Sequence, residues 1–190
     1  MEGFSYKIAL MKGYELIMIN LQPITWDNME YIIDLKVEDT QKNFVATNSD
    51  SLADAYIAQN QDPYPATTFA IYNGDEPVGF SMTGYFVGEN TELAKNKPGG
   101  NTSNEYTEDD SPCYYFWRFM IDKRFQGKGY GRVALVQLLD YLKTKPQGDA
   151  EYVFTSIEPG NDVAGKLYES LGFKKDGRIL EGEEVMKMRL

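Results

Sequence analysis

The chain contains no histidine. That absence removes the Ser–His and Cys–His nucleophile pairs and every histidine metal site, and no metal is expected. Any acid or base must be Asp, Glu, Tyr, Lys, Cys or a water. There is one cysteine, Cys113. A lone cysteine closes no internal disulfide, which agrees with a reducing, cytoplasmic compartment. No apolar run reaches the length of a bilayer span. Residues 17–21 are too short for a signal-peptide core and no small-residue cleavage site follows them, so a soluble protein with no membrane partner is expected. Basic residues are scarce: 19 Lys and Arg stand against 29 Asp and Glu, for a formal charge of −10. Such a chain repels phosphate backbones, which argues against nucleic acid as a partner. It attracts small cations, although acidity also serves solubility alone.

What is present reads as one α/β domain. Residues 16–23 alternate as a first strand. Asp27 and Glu30 have capping-box spacing for a helix through Tyr31, Ile32, Leu35 and Val37. Ser51 and Asp54 open a second helix, which Pro63 and Pro65 end. Residues 67–72 and 77–86 form a hairpin around Asn73-Gly74. Residues 87–112 are rich in Gly, Asn, Ser and acid, with Glu89, Glu92, Glu105, Glu108, Asp109 and Asp110. They read as an inserted mobile loop, either solvated disorder or a lid. An aromatic strand over 114–122 leads into a Gly-rich segment and an amphipathic helix with Val133, Val136, Leu138, Leu139 and Leu142 inward. Pro146 and Gly148 stop that helix. A strand over 152–157, a helix capped by Asn161 and closed by Gly172, and strands over 174–180 and 184–188 complete the chain.

The chemistry concentrates in Gln126-Gly127-Lys128-Gly129-Tyr130-Gly131, which follows a strand and opens a helix. Amides at a helix start lack internal partners and the dipole there favours negative charge, so the context suits an anion. Gly127, Gly129 and Gly131 permit close backbone approach. Lys128 and Arg132 add positive charge in an acidic chain. The segment is no Walker loop, because Gly129 stands where that loop needs Ser or Thr. Nor is it the dinucleotide fingerprint, whose third glycine would fall on Arg132. The loop alone is equally a plain Gly-rich turn.

Gln126-x-x-Gly129-x-Gly131 resembles the pyrophosphate-binding motif of the GNAT acetyltransferase superfamily. A second block resembles that family's fifth strand and fourth helix: Ser156-Ile157-Glu158-Pro159-Gly160-Asn161, then Ala164, Leu167-Tyr168-Glu169 and Leu171-Gly172-Phe173. Further stretches, among them Leu35-Lys36-Val37, Pro77-Val78-Gly79-Phe80 and Arg118-Phe119-Met120-Ile121-Asp122, are similar to bacterial spermine/spermidine acetyltransferases. The resemblance implies a mixed, mostly antiparallel sheet of about seven strands with splayed fourth and fifth strands, flanked by about four helices. It implies acetyl-CoA as cofactor. Backbone groups of Phe119, Met120 and Ile121 would pair with the pantetheine arm. Gln126, Gly127, Lys128, Gly129, Tyr130, Gly131 and Arg132 would hold the pyrophosphate, and Asn161 would add a contact. Tyr168 matches the family's general acid; its bland alternative is a core aromatic. A backbone N–H near Met120 would stabilise the oxyanion.

The implied acceptor is a small cationic amine, a polyamine such as spermidine or spermine. Another small amine, an amino acid or a protein N-terminus are alternatives, as is an acyl-CoA sensor without turnover. An amine with a pKa near 10 is only about one part in a thousand neutral at pH 7, so a base is needed. Many relatives carry a carboxylate on the fourth strand for this; here Trp117 and Arg118 stand at those positions. Glu38 and Asp39, expected at the end of the first helix, are the substitutes, and Arg118 could pair with one of them or select a carboxylate-bearing substrate. Tyr85 and Trp117 could line the acceptor pocket or belong to the core. Residues 1–17 read as an extension or a start-site product before a domain over 18–190, and their removal is expected to leave activity intact. Relatives often pair through their sheets, which leaves a homodimer open.

Overall fold

The computed structural model describes residues 8–12, 15–61, 65–87 and 111–190, with side chains from residue 17 onward. Strands β1 (Ile8–Lys12), β2 (Glu15–Gln22), β3 (Thr67–Asn73), β4 (Glu76–Phe86), β5 (Cys113–Ile121), β6 (Tyr152–Ile157), β7 (Lys174–Leu180) and β8 (Glu183–Arg189) form one sheet. Its order is β1-β2-β3-β4-β5-β6-β8-β7. Every neighbouring pair is antiparallel except β5–β6. The helices are α1 (Met29–Ile33), α2 (Asn48–Gln61), α3 (Tyr130–Lys143) and α4 (Asp162–Leu171), with a 3-10 turn at Asp39–Gln41. The architecture agrees with the expected mixed sheet and four helices. The eighth strand, β1, lies within the segment expected to be an extension and pairs along β2 from Lys12↔Glu15 to Ile8↔Ile19. The expected acidic loop falls outside the described residues except at its ends, as does Pro63.

Alternation in the strands sends apolar residues to two separate cores. On one face Tyr114, Phe116, Val153 and Ile157 pack with Leu135 and Leu138 of α3 and Tyr168 of α4. On the other, Ala70, Phe80, Met82 and Met120 pack with Ile32 and Leu35. Two breaks in the strand pattern make the site. The parallel pairing of β5 with β6 covers only Cys113–Tyr115 against Tyr152–Phe154. Beyond it β5 stays with β4 while β6 stays with β8, so the sheet opens between them. The second break is a bulge: partners step from Thr83↔Phe116 to Met82↔Arg118, leaving Trp117 unmatched. One extra residue switches the parity of the positions that face each side. Tyr114 and Phe116 face α3 and α4 before it; Phe119 and Ile121 do so after it.

Three expected helix signals are corrected. The first helix ends at Ile33 rather than running through Val37. Its cap is Asn28, not Asp27, and the Asn28 side chain turns back to accept from the Thr25 N–H at 2.8 Å. The second helix begins at Asn48, before Ser51. There Thr47 Oγ1 accepts from the Asp50 N–H at 3.1 Å and donates to the Asp50 carboxylate at 2.7 Å.

Candidate active site

Asp122 fixes the approach to the Gly-rich loop. It is 2% exposed, yet its carboxylate accepts from the Lys36 N–H at 2.8 Å and from Arg124 Nε at 2.7 Å. Burial alone would raise its pKa; the hydrogen bonds from Arg124 and Lys36 outweigh that and hold it below the ordinary carboxylate value. The loop itself is set by Gly127 (φ +74°) and Gly129 (φ +90°), both left-handed, and Gly129 directly precedes α3. Consecutive amides in such a bend turn inward as an anion nest, and the first helical amides add to it. A Cβ on Gly131 would reach Leu167 and Ile121 at 3.5 Å, so α3 lies close against both. The Gln126 side chain donates to the Ile121 carbonyl at 2.9 Å and to Gln41 at 2.8 Å, tying the loop to the 3-10 turn. Lys128 lies over the rings of Phe125 and Tyr130, and Arg132 donates to the Ser170 carbonyl at 3.2 Å.

A cleft of about 390 Å³ covers this loop, lined by Phe119, Met120, Ile121, Gln126, Gly127, Gly129, Tyr130, Gly131, Arg132 and Asn161. Of the residues expected to hold a cofactor, only Lys128 is missing from that wall. The residues present fit a pyrophosphate-bearing ligand: a nest of amides, a helix start and the cations Lys128 and Arg132 nearby. Among the described residues no strand pairs with the β5 edge beyond Tyr115, so an extended arm could pair there as an added strand. Asn161 caps α4 by accepting from the Ala164 N–H at 3.3 Å.

A second cleft, of about 590 Å³, shares Phe44, Val45, Phe119, Asn161, Ala164 and Leu167 with the first. Its walls come from both faces of the sheet, because it lies where β5 and β6 part. Thr155, Leu167 and Tyr168 line it from the α3–α4 side; Tyr115, Trp117, Ser156 and Glu183 line it from the other. Tyr168 is 6% exposed, with Thr155 beside its phenol. Burial pushes the phenol up to about 12; the Thr155 hydroxyl opposes this and the nearby Tyr115 and Glu183 add to it. The side chain both packs on Phe173 and faces the cleft, so the expected choice between core aromatic and site residue is not exclusive.

The expected acceptor residues divide. Trp117 and Arg118 line the second cleft, with the Arg118 guanidinium 5.6 Å from the Trp117 ring centroid. Arg118 pairs with Asp54 of α2 at 3.3 Å rather than with Glu38 or Asp39, which corrects that expectation. Glu38 and Asp39 stand at the 3-10 turn, not at the end of a helix, and line neither cleft. Glu38 is in a capping box with Gln41, and Asp39 bridges Lys42 at 2.8 Å. Tyr85 is buried beside Tyr114 and donates to the Asp149 carbonyl at 2.8 Å, away from both clefts.

Sequence reasoning missed the carboxylates that do line the second cleft: Glu158, Glu181 and Glu183. Glu183 hydrogen-bonds Ser156 Oγ, and Ser156 bonds the Tyr115 hydroxyl at 2.6 Å. Period-two counting along β8 puts Glu183 on the face of Val185, but only the topology shows that this face meets the cleft. Glu181 and Gly182 form the two-residue β7–β8 turn, both at positive φ, +50° and +94°. Among the described residues no group of three or more His, Cys, Asp and Glu side chains could hold a metal, and no helix is long and apolar enough to cross a membrane.

Residues 29–173 match the family model described as acetyltransferase (GNAT) family. The chain is 30% identical over 174 residues to the spermine/spermidine N(1)-acetyltransferase of Bacillus subtilis strain 168, covering 90% of this chain and 99% of that protein. Two solved structures share the fold. One is an aminoglycoside acetyltransferase in complex with coenzyme A and kanamycin, at TM-score 0.66 and 18% identity over 90% of this chain and 94% of that one. The other is the spermidine N-acetyltransferase of Vibrio cholerae in complex with CoA and spermine, at TM-score 0.59 and 16% identity over 90% and 95%.

Proposed function

The chain belongs to the acetyltransferase (GNAT) family and is an acetyl-CoA-dependent N-acetyltransferase; from that premise we propose that its acceptor is a polyamine such as spermidine or spermine, acetylated by direct attack. The observation that carries this reading is the opposed charge of two joined clefts. The one over the Gly-rich loop offers amides, with Lys128 and Arg132 beside it, to a polyanion. The other offers Glu158, Glu181 and Glu183, beside Lys42 and Arg118 that are paired to Asp39 and Asp54, and the aromatic side chains of Phe86, Tyr115 and Trp117 to a cation. The Bacillus subtilis relative named for spermine and spermidine supports the same acceptor class.

Acetyl-CoA, when bound, supplies an activated acetyl carbon and a leaving thiolate. As the amine nitrogen attacked and the C–S bond broke, Tyr168 would give its proton to the sulfur and regain one from the acylated nitrogen. A phenol held at about 12 is fully protonated at pH 7, as a donor must be. The low-dielectric surroundings that raise the phenol also raise the proton affinity of the departing sulfur. The amides of Gly127–Gly131 would hold the pyrophosphate, the open β5 edge at Phe119–Ile121 would take the arm, and a strand amide near Met120 would stabilise the developing oxyanion. A cytoplasmic location and a homodimer complete the proposal, checked by cell fractionation and sedimentation.

The test is CoA release from acetyl-CoA with a panel of amines, wild type against Tyr168→Phe. Turnover of spermidine or spermine that falls about 10²-fold or more in the variant is expected. Turnover confined to other amines would remove the polyamine assignment and leave the chemistry.

A further inference from the structure

The family's usual strand carboxylate is missing: β5 carries Trp117 and Arg118 there, and Arg118 is held by Asp54. The cleft nonetheless needs a group to take the ammonium proton. Among the described residues, seven titratable or charged side chains face it: Lys42, Tyr115, Arg118, Glu158, Tyr168, Glu181 and Glu183. Lys42 is bridged to Asp39, and the cations accept no proton. Glu181 is exposed at the tip of the β7–β8 turn, and Glu158 follows the end of β6. Glu183 differs from both. Like Glu158 it is half-buried, but its carboxylate is fixed by Ser156, which is fixed in turn by Tyr115. Its charge acts on the Tyr168 phenol, so acid and carboxylate share one end of the cleft.

Resting on the amine-acetylation reading, we propose that Glu183 is the catalytic base, with Ser156 and Tyr115 as its positioning residues. The ammonium N–H bond breaks, its electron pair stays on nitrogen, and the proton forms an O–H bond on the Glu183 carboxylate. That proton leaves to solvent past Glu181 when the product departs. Glu183 is anchored from three strands, β5, β6 and β8, across the opening of the sheet. The base thereby comes from the C-terminal hairpin instead of the strand that receives the cofactor arm.

The experiment compares Glu183→Gln, Glu181→Gln and wild type, using whichever amine wild type turns over. For Glu183→Gln, kcat/KM at pH 7 is expected to fall about 10²–10³-fold. The profile should then rise with pH and converge on wild type near pH 10, where about half the amine is already neutral. Glu181→Gln should raise the amine KM and keep the wild-type profile. Acetyl-CoA affinity and melting temperature should stay unchanged in both. In the ligand-free protein, Glu183→Gln should also lower the pH at which Tyr168 titrates in the near ultraviolet, with Tyr168→Phe as reference. An equal loss at every pH, the same profile change in Glu181→Gln, or an unmoved Tyr168 titration overturns the base. A wild type inert toward every amine overturns the transfer reading and the base with it.

Discussion

Replacing Tyr168 by phenylalanine separates the burial of its phenol from its role as acid. The phenol titrates near 10 in an unfolded chain and at about 12 when folded. Between those values the unfolded chain has released a proton that the folded one still holds. Stability therefore falls as pH rises through this window, having been fully present below it. For a two-unit shift the loss is about 1.4 kcal/mol by pH 11 and approaches about 2.7 kcal/mol above pH 12. A phenylalanine ring cannot ionise, so the variant escapes this loss. What the variant loses with the hydroxyl, its contact with Thr155 included, is common to pH 8 and pH 11 and cancels when the two gaps are compared. Tyr114 and Tyr141 are also raised by burial, but they are common to both proteins and cancel. The assay is urea unfolding of wild type and variant at pH 8 and pH 11. With a slope of about 2 kcal/mol per molar, the gap between midpoints should move by about 0.7 M in favour of the variant. A gap that does not change with pH would refute the reasoning, because a phenol exposed enough to titrate normally has no such linkage.

Gly129→Ala places a side chain at φ +90°, a strain of about 1–2 kcal/mol at the start of α3. It should weaken acetyl-CoA binding by about tenfold or more in calorimetry while the KM for amine stays near wild type. Glu181→Asn relieves the cost of a glutamate at φ +50° in the β7–β8 turn and should raise stability in urea by about 1 kcal/mol. The same change removes a carboxylate from the cleft and should raise the amine KM. Deleting residues 1–14 should keep turnover, because β1 pairs with β2 at the edge of the sheet with three strands between it and β5, but it bares the edge of β2. A lower melting temperature and concentration-dependent association, read by light scattering, are expected; loss of acetyl-CoA binding would contradict this.

The Gly-rich half of the site was legible because its signal is local. Gly127, Gly129 and the cap at Asn161 are read from neighbours within a few positions, and each stands where its backbone geometry demands. Strands β2 to β8 and α3 were equally plain from their apolar period, whereas β1 lay in the segment read as an extension. The end of α1 was not, because Lys36 gives its N–H to Asp122 and its carbonyl to the Lys123 N–H, partners more than eighty positions away. That clamp overrides a helical pattern running on to Val37. The acidic half was illegible for the same reason. Glu183 meets Ser156 and Tyr115 only after β8 inserts between β6 and β7, an order that no spacing along the chain encodes. Glu38 and Asp39 looked suitable by charge and lie on a turn that charge alone could not orient.

Trp117 is a spare beat in the rhythm of its strand. Its neighbours Phe116 and Arg118 meet Thr83 and Met82, which are themselves adjacent, so the strand keeps time with β4 across the extra residue. The two consecutive side chains Trp117 and Arg118 therefore look out toward α1 and α2, where an unbroken rhythm has room for one. Taking the spare beat away would close the gap and leave Phe119 and Ile121 under α3, Met120 above, and every later residue in step. The whole cost would fall on the acidic chamber, which would lose a wall. Evolution can thus lengthen or shorten that chamber's furniture at one point without retuning the strand that serves the other.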